Sequence, residues 1–104
     1  MLRFTEHLIM AGFGYAYGLA AGDLDGDGRL DITAADADGR ALYWFGNDGD
    51  GNFTRHLIQR DHPKERLERH ALGDIAGHGR LDVVIVENLP GDLYWFENNG
   101  SPRD

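Results

Sequence analysis

The sequence repeats itself at a spacing of about fifty residues, and this repetition constrains the fold more than any other feature. "FTEHLI" at 4–9 returns as "FTRHLI" at 53–58, "GDLDGDGRLDI" at 22–32 returns as "GDIAGHGRLDV" at 73–83, and "LYWF" at 42–45 returns at 93–96. The first pair is separated by 49 residues and the other two by 51. Two units, 1–52 and 53–104, therefore cover the chain.

Within each unit the apolar residues alternate with a period of two, which predicts β-strands. Each unit offers four: a strand of small residues such as "GYAYGLAAG", a strand after the acidic loop such as "LDITAAD", an aromatic strand such as "ALYWFGN", and "FTxHLI". Tandem units of four short strands are typical of β-propeller blades. We therefore expect an all-β fold with two four-stranded blades per chain. A β-sandwich uses the same strands but does not explain the repeat.

The acidic loop of the first unit has the spacing of a metal site. Four aspartates occupy positions 1, 3, 5 and 9 of a nine-residue loop, with Gly28 at the turn. Calcium takes six to eight oxygen ligands at about 2.3–2.6 Å, and magnesium prefers fewer carboxylates and more waters. An EF-hand is excluded because position 12, Ala34, lies in a strand pattern. The predicted calcium ligands are Asp23, Asp25, Asp27, Asp31 and the carbonyl of Arg29. An acidic turn without an ion is the alternative.

The second copy of this loop has lost two of its four carboxylates. Ala76 and His78 stand where the first copy has Asp25 and Asp27, while Asp74 and Asp82 are retained. Because imidazole is a poor calcium ligand, we expect this loop to be metal-free, with His78 hydrogen-bonded to the remaining carboxylates. A weak transition-metal cluster of Asp74, His78 and Asp82 is the alternative.

The motif "AGDLDGDGRLDITAA", followed by "ALYWFGNDGDGNFTRHLI", resembles the FG-GAP and VCBS-type repeats of integrin-like β-propellers and of many bacterial extracellular proteins. The resemblance covers both units. It implies a blade whose loop between the first and second strands binds calcium, and a family that is commonly extracellular. It does not imply one activity, since such propellers serve as ligand-binding, lectin-like or scaffolding modules.

Two blades cannot close a propeller, which needs at least four. The chain opens with an outer-type strand, 4–9, and ends after the aromatic strand of its second unit. We therefore expect the N-terminal strand of one copy to complete the last blade of the next, so that the partner of the chain is itself. Three copies would give six blades, which we prefer, and four would give eight. The alternative is that the two units are a part of a longer propeller.

Composition excludes several other functions. The net charge of −8 disfavours nucleic acid as a partner, and no apolar run approaches the ~20 residues of a membrane span. There are no cysteines, and "MLRFTEHLIM" has no signal-peptide pattern, so the compartment stays undetermined. No catalytic set emerges, so we do not expect an enzyme.

The leading hypothesis is a calcium-stabilised, self-assembling structural module. The alternative is a propeller that binds carbohydrate or protein in clefts between blades or on the axial face, where Tyr15, Tyr17 and the 59–70 segment could contribute. His7 and His56 occupy equivalent repeat positions, which favours packing roles. The "NDGDGN" segment at 47–52 is expected to be a hairpin turn without an ion.

Overall fold

The computed structural model describes residues 1–14, 16–36, 41–60, 67–87 and 91–100, which form two antiparallel sheets and no helix. The first sheet contains, in order, β1 (Ala16–Gly22), β2 (Asp31–Asp36), β3 (Ala41–Asn47) and β4 (Phe53–Arg60). The second contains β5 (Leu67–Gly73), β6 (Asp82–Glu87) and β7 (Leu93–Phe96). The all-β prediction is confirmed, and a sheet of four strands followed by one of three is consistent with successive blades.

Equivalent residues of the two repeats pair in the same register within their own sheets. Ile32 pairs with Phe45 across β2 and β3, as Val83 pairs with Phe96 across β6 and β7. Gly22 pairs with Asp31, as Gly73 pairs with Asp82, so each acidic loop joins the first two strands of its sheet. The repeat in sequence is therefore a repeat in structure. Within the described part of the chain, no helix of the length and hydropathy needed to cross a membrane is found.

The expected N-terminal strand at 4–9 is not formed within a single chain. Residues 1–13 have no regular secondary structure, and Phe4 and Leu8 are exposed. A strand needs a partner edge for its backbone hydrogen bonds, and its repeat counterpart β4 obtains one from β3. The end of this segment instead covers the first sheet, where Met10 and Phe13 pack beside Tyr43 and Phe45.

Each sheet has two apolar faces, as expected of strands covered on both sides. We call the face that carries the Tyr and Phe of "LYWF" the front and the face that carries its Leu and Trp the back. The first sheet has Ile32, Ala34, Tyr43 and Phe45 on its front and Thr33, Ala35, Leu42 and Trp44 on its back. The second sheet has Val83, Ile85, Tyr94 and Phe96 on its front and Val84, Val86, Leu93 and Trp95 on its back.

The back of the first sheet packs on the front of the second. Ala35 and Leu42 form one buried cluster with Val83 and Ile85, and Tyr94 and Phe96 of the second sheet border it. The first strands of the two sheets also lie against each other, since β1 contacts β5. A Cβ atom on Gly22 would lie 2.7 Å from Cδ1 of Leu81 and 2.9 Å from Cδ1 of Leu72, so a larger residue here would force these leucine side chains to shift. The small-residue strand is thus the point where adjacent sheets meet.

Candidate metal centre

Asp23 organises the first acidic loop from its start. Its Oδ1 accepts hydrogen bonds from the backbone N–H groups of Gly26 and Asp27, at 2.9 and 3.2 Å, and its Oδ2 accepts one from Gly28 at 2.8 Å. Gly26 and Gly28 have φ angles of 77° and 85°, a left-handed conformation that side chains disfavour. The glycines therefore allow the backbone to wrap around the Asp23 carboxylate.

Asp31 fixes the other end of the loop, at the first residue of β2. Its carboxylate is fully buried, with Oδ2 accepting from the N–H of Leu24 and Oδ1 from the N–H of Asn47, both at 2.9 Å. The Asn47 side chain in turn donates through Nδ2 to the carbonyl of Leu30 at 2.9 Å. One carboxylate thus ties the loop, β2 and the end of β3 together.

The four aspartates converge as their spacing predicts. Asp23, Asp25, Asp27 and Asp31 each offer a carboxylate oxygen, and these atoms all lie within 4.8 Å of one another. Two oxygens on opposite sides of a calcium ion, each at about 2.4 Å, would be separated by about that distance. An all-oxygen, all-carboxylate donor set of this size suits a hard divalent cation, and these residues fit calcium.

The pKa values of the two exposed carboxylates in the cluster, Asp25 and Asp27, are shifted in opposite directions. Burial and the neighbouring Asp31 carboxylate raise the pKa of Asp25 above its usual range. The pKa of Asp27 is lowered, first by the hydrogen bond from the N–H of Arg29, and the Arg29 guanidinium lies 3.1 Å from its Oδ2. A raised pKa disfavours the charged form of Asp25, and a bound cation would favour it.

Arg29 has a second contact besides Asp27. Its side chain lies against the turn at 47–52, where a Cβ on Gly49 would meet Arg29 Nε at 2.5 Å. In that turn the Asp48 carboxylate accepts hydrogen bonds from the N–H groups of Asp50 and Asn52, as in a self-sufficient hairpin turn. The Arg29 carbonyl as a calcium ligand stays a prediction.

The second loop keeps the same backbone frame. Asp74 accepts hydrogen bonds from the N–H groups of Gly77, His78 and Gly79 at 2.7–3.0 Å, as Asp23 does in the first loop. Asp82 is fully buried, like Asp31, and accepts from the N–H groups of Ile75, Ala76 and Asn98. Both loops therefore depend on a carboxylate at each end, whatever lies between.

The His78 side chain accepts the same backbone hydrogen bond that Asp27 accepts in the first loop. Its Nδ1 accepts from the N–H of Arg80 at 3.3 Å, as the carboxylate of Asp27 accepts from the N–H of Arg29 at 2.9 Å. Its Nε2 is buried and lies 3.6 Å from Oδ1 of Asp82 and 3.8 Å from Oε2 of Glu97, beyond hydrogen-bond distance. Its Nδ1 also lies 3.4 Å from Oδ1 of Asp74, so the imidazole is within ion-pair distance of three carboxylates. The expected hydrogen bond to the carboxylates is not formed by Nε2, and the imidazole supports the turn through the backbone.

Asp74, His78 and Asp82 also converge, each offering a ligand atom within 4.8 Å of the others. This is the weaker of the two clusters for calcium because one of its three donors is nitrogen and the position of Asp25 is an alanine. The expectation that the second loop is metal-free stays a prediction.

Two asparagines belong to this architecture although the loop motif does not include them. Asn47 is the last residue of β3, and its repeat equivalent Asn98 lies two residues after the end of β7. Each donates its backbone N–H to the buried aspartate of its loop. Asn98 Nδ2 also donates to the carbonyl of Leu24 in the first loop, at 2.9 Å. Their recurrence after "LYWF" was the available sequence signal.

The other residues that the sequence analysis considered lie away from the acidic loops or outside the described residues. His56 stacks on Trp44 with ring centroids 4.2 Å apart, which agrees with a packing role, and His7 is exposed. Tyr15, the side chain of Tyr17 and residues 61–66 lie outside the described part of the structure.

The chain is similar to an integrin alpha subunit. It is 30% identical to integrin alpha-PS3 of Drosophila melanogaster over 103 residues, which is 83% of this chain and 9% of the integrin. This similarity agrees with the expected integrin-like repeat, over a small part of the relative's length. No protein-family model matches the chain, and no solved structure matches it.

The buried Asp82 carboxylate of the second loop should make the free energy of unfolding depend on pH. Burial raises the pKa of Asp82, but the hydrogen bonds from the N–H groups of Asn98, Ala76 and Ile75 outweigh it and hold the pKa below its usual range. A carboxyl whose pKa is lower in the folded chain stabilises the fold above the unfolded value of about 4 and loses that contribution as pH falls further. We expect Asp82→Asn to lower the free energy of unfolding by about 1–3 kcal/mol at neutral pH.

Urea unfolding between about pH 5 and pH 3, in the presence of a chelator, measures this effect. The variant should lose less stability over this interval than the unmodified chain. Asp50→Asn, in the exposed 47–52 turn, is the control, and its free energy of unfolding should change with pH as that of the unmodified chain does. An Asp82→Asn variant with an unchanged pH profile would contradict the assignment.

Proposed function

We propose that this protein is a calcium-binding β-propeller module that completes its propeller by self-association, with a structural role and no catalysis of its own. The calcium part rests on the four carboxylates that converge in the first loop, and this is the observation that carries the proposal. The ion neutralises repulsion among Asp23, Asp25, Asp27 and Asp31 and stabilises a turn that the backbone hydrogen bonds already shape. The similarity to an integrin alpha subunit supports a propeller-type repeat.

The self-association part is supported by the free edge of β7 among the described strands of the second sheet. Its described strands end at β7, whereas in the first sheet β4 follows at the equivalent edge of β3. The N-terminal segment 4–9 matches the first six residues of β4 at five positions, and it has no strand pairing within the described residues. Segment 4–9 of one copy can therefore add to β7 of another by backbone hydrogen bonding.

One pair of aromatic rings supports the same pairing. His56 on β4 stacks on Trp44 of β3. The repeat counterparts are Trp95 on β7, which is 45% exposed, and His7 in the N-terminal segment, which is also exposed. Strand addition would place His7 of one copy over Trp95 of the next. Three copies then give a six-bladed ring and four an eight-bladed one; we propose the trimer.

A second candidate function is carbohydrate or protein binding, which one cavity favours. A groove of about 460 Å³ opens between the two sheets beside the first acidic loop. Its lining combines an aromatic ring, Trp44, with polar groups of Asp25, Arg80 and Asn99. An aromatic surface bordered by a few polar groups is typical of ligand pockets.

Exchanging the two loop chemistries tests the calcium site. The loops differ at their third and fifth positions and otherwise only by Leu24 against Ile75. We expect the unmodified chain to bind one calcium ion, Asp25→Ala/Asp27→His to bind none, and Ala76→Asp/His78→Asp to bind two, as measured by calorimetric titration. At a calcium concentration 100 times the Kd, each ion should add about 2.7 kcal/mol to the free energy of unfolding. Equal stability in calcium and in chelator would favour the ion-free acidic turn.

Native mass measurement tests the assembly. We expect a species of three times the 11.6 kDa mass of one chain, and deletion of residues 1–9 should prevent a closed ring because the second sheet then receives no outer strand. The control is Glu6→Gln, which keeps the segment and its alternating pattern. A folded monomer at high micromolar concentration would overturn the self-association.

A glycan array with the native assembly tests the second candidate. Binding that is lost in Asn99→Ala, an exposed residue of the groove, but kept in Asp50→Ala outside it would support carbohydrate recognition. Absence of binding to any glycan would favour the structural role.

A further inference from the structure

We propose that the front of the first sheet and the back of the second sheet are the two halves of one interface between copies of this chain. This interface repeats the contact that joins the two sheets within a chain, with a Leu19–Val84 pair in the place of the Thr33–His70 pair. The inference rests on the self-association proposed above and specifies which surfaces meet.

The back of the second sheet is exposed where its counterpart is buried. Leu93 is 70% exposed, whereas Leu42, its equivalent on the back of the first sheet, is completely buried against the second sheet. Val86 and Trp95 are exposed as well, and their equivalents Ala35 and Trp44 lie on the in-chain interface. A contiguous apolar face of this kind indicates an interaction surface.

The front of the first sheet shows the complementary exposure. Leu19 is 74% exposed, while its equivalent His70 contacts the neighbouring sheet. Leu30 is also exposed, while its equivalent Leu81 lies against Gly22. Both of these exposed leucines thus correspond to positions on the second sheet that are in contact with the first. The exposed front of the first sheet therefore matches the exposed back of the second sheet, as the buried back of the first matches the buried front of the second.

The N-terminal segment covers the middle of this front in the single chain. Met10 and Phe13 lie against Tyr43 and Phe45, where the in-chain interface would place a leucine equivalent to Leu42. Docking of a second copy brings Leu93 to this place, so Met10 and Phe13 must give way. The same displacement frees residues 4–9 for the edge of β7 in the neighbouring copy.

One pair of positions distinguishes the two interfaces chemically. Within the chain, Thr33 Oγ1 and His70 Nε2 are hydrogen-bonded at 2.7 Å. The equivalent positions between copies hold Val84 and Leu19, which have no polar side-chain atoms. Stacking the wrong sheets would place Thr33 against Leu19 or His70 against Val84, and neither arrangement could form the Thr33–His70 hydrogen bond. The pairing chemistry therefore fixes the order in which sheets stack.

A hydrogen bond between loops completes the interface. Asn98 Nδ2 donates to the Leu24 carbonyl across the two sheets. The equivalents between copies are Asn47 Nδ2 and the carbonyl of Ile75. Each acidic loop would then be tied to the aromatic strand of the adjacent sheet, within and between chains alike.

Chemical cross-linking tests the arrangement, because the chain has no cysteine of its own. Single variants Leu19→Cys and Val84→Cys are refolded together and treated with a short bifunctional maleimide. We expect cross-linked dimers in the mixture and none in either variant alone, since the interface is head to tail and joins unlike surfaces. Thr33→Cys/His70→Cys in one chain should link internally and calibrates the reagent. Asp50→Cys mixed with Val84→Cys is the negative control.

The native masses of the same variants distinguish a failure of the self-association from a failure of this particular interface. A chain that is monomeric before cross-linking would overturn both the self-association and this interface. An oligomer that links 19 to 19, links 84 to 84, or gives no link between 19 and 84 would overturn this interface and leave the self-association standing.

The pairing chemistry has its own test. Leu19→His should reduce the assembled fraction at least tenfold at a fixed concentration, and the double variant Leu19→His/Val84→Thr, which reproduces the in-chain pair, should recover most of it. A single Leu19→His variant that assembles like the unmodified chain would contradict the role assigned to this pair.

Discussion

The buried carboxylates Asp31 and Asp82 are the constraint on which the rest of the structure depends. Each is fully removed from solvent at the first residue of its strand, and each is stabilised by backbone N–H groups from two different segments. A buried charge without such partners would be strongly unfavourable, so the surrounding segments must close around it. The acidic loop, the strand that follows it and the end of the aromatic strand are held in one arrangement by this requirement.

This constraint separates the shape of the loop from its chemistry. The end carboxylates and the glycines specify the turn in both units, so the intervening positions are free to differ. In the first loop they carry aspartates that converge on one point, and in the second an imidazole takes over the backbone hydrogen bond that Asp27 makes. A metal centre and a turn supported by histidine can therefore occupy the same frame.

Much of this architecture could be predicted from the sequence because the repeat marks it twice. The strand order and the position of both loops follow from the spacing of "GDxxGxGRLD" and "LYWF", and the convergence of Asp23, Asp25, Asp27 and Asp31 follows from their alternation. The contact of Met10 and Phe13 with the first sheet could not be predicted, because it is the packing of an irregular segment that no periodic pattern marks. The bond from Asn98 to Leu24 links residues 74 positions apart, and no local pattern encodes it.

The proposed ring has a consequence for how the stability of the fold depends on protein concentration. In a closed ring of two-bladed chains, every second contact between blades joins different molecules, and each of those contacts also carries an exchanged strand. Folding and association then share the same apolar surfaces, so dilution weakens the fold of each copy as well as the ring. In the proposed ring the thermal midpoint would therefore rise with protein concentration, which a single chain with all its blades would not show.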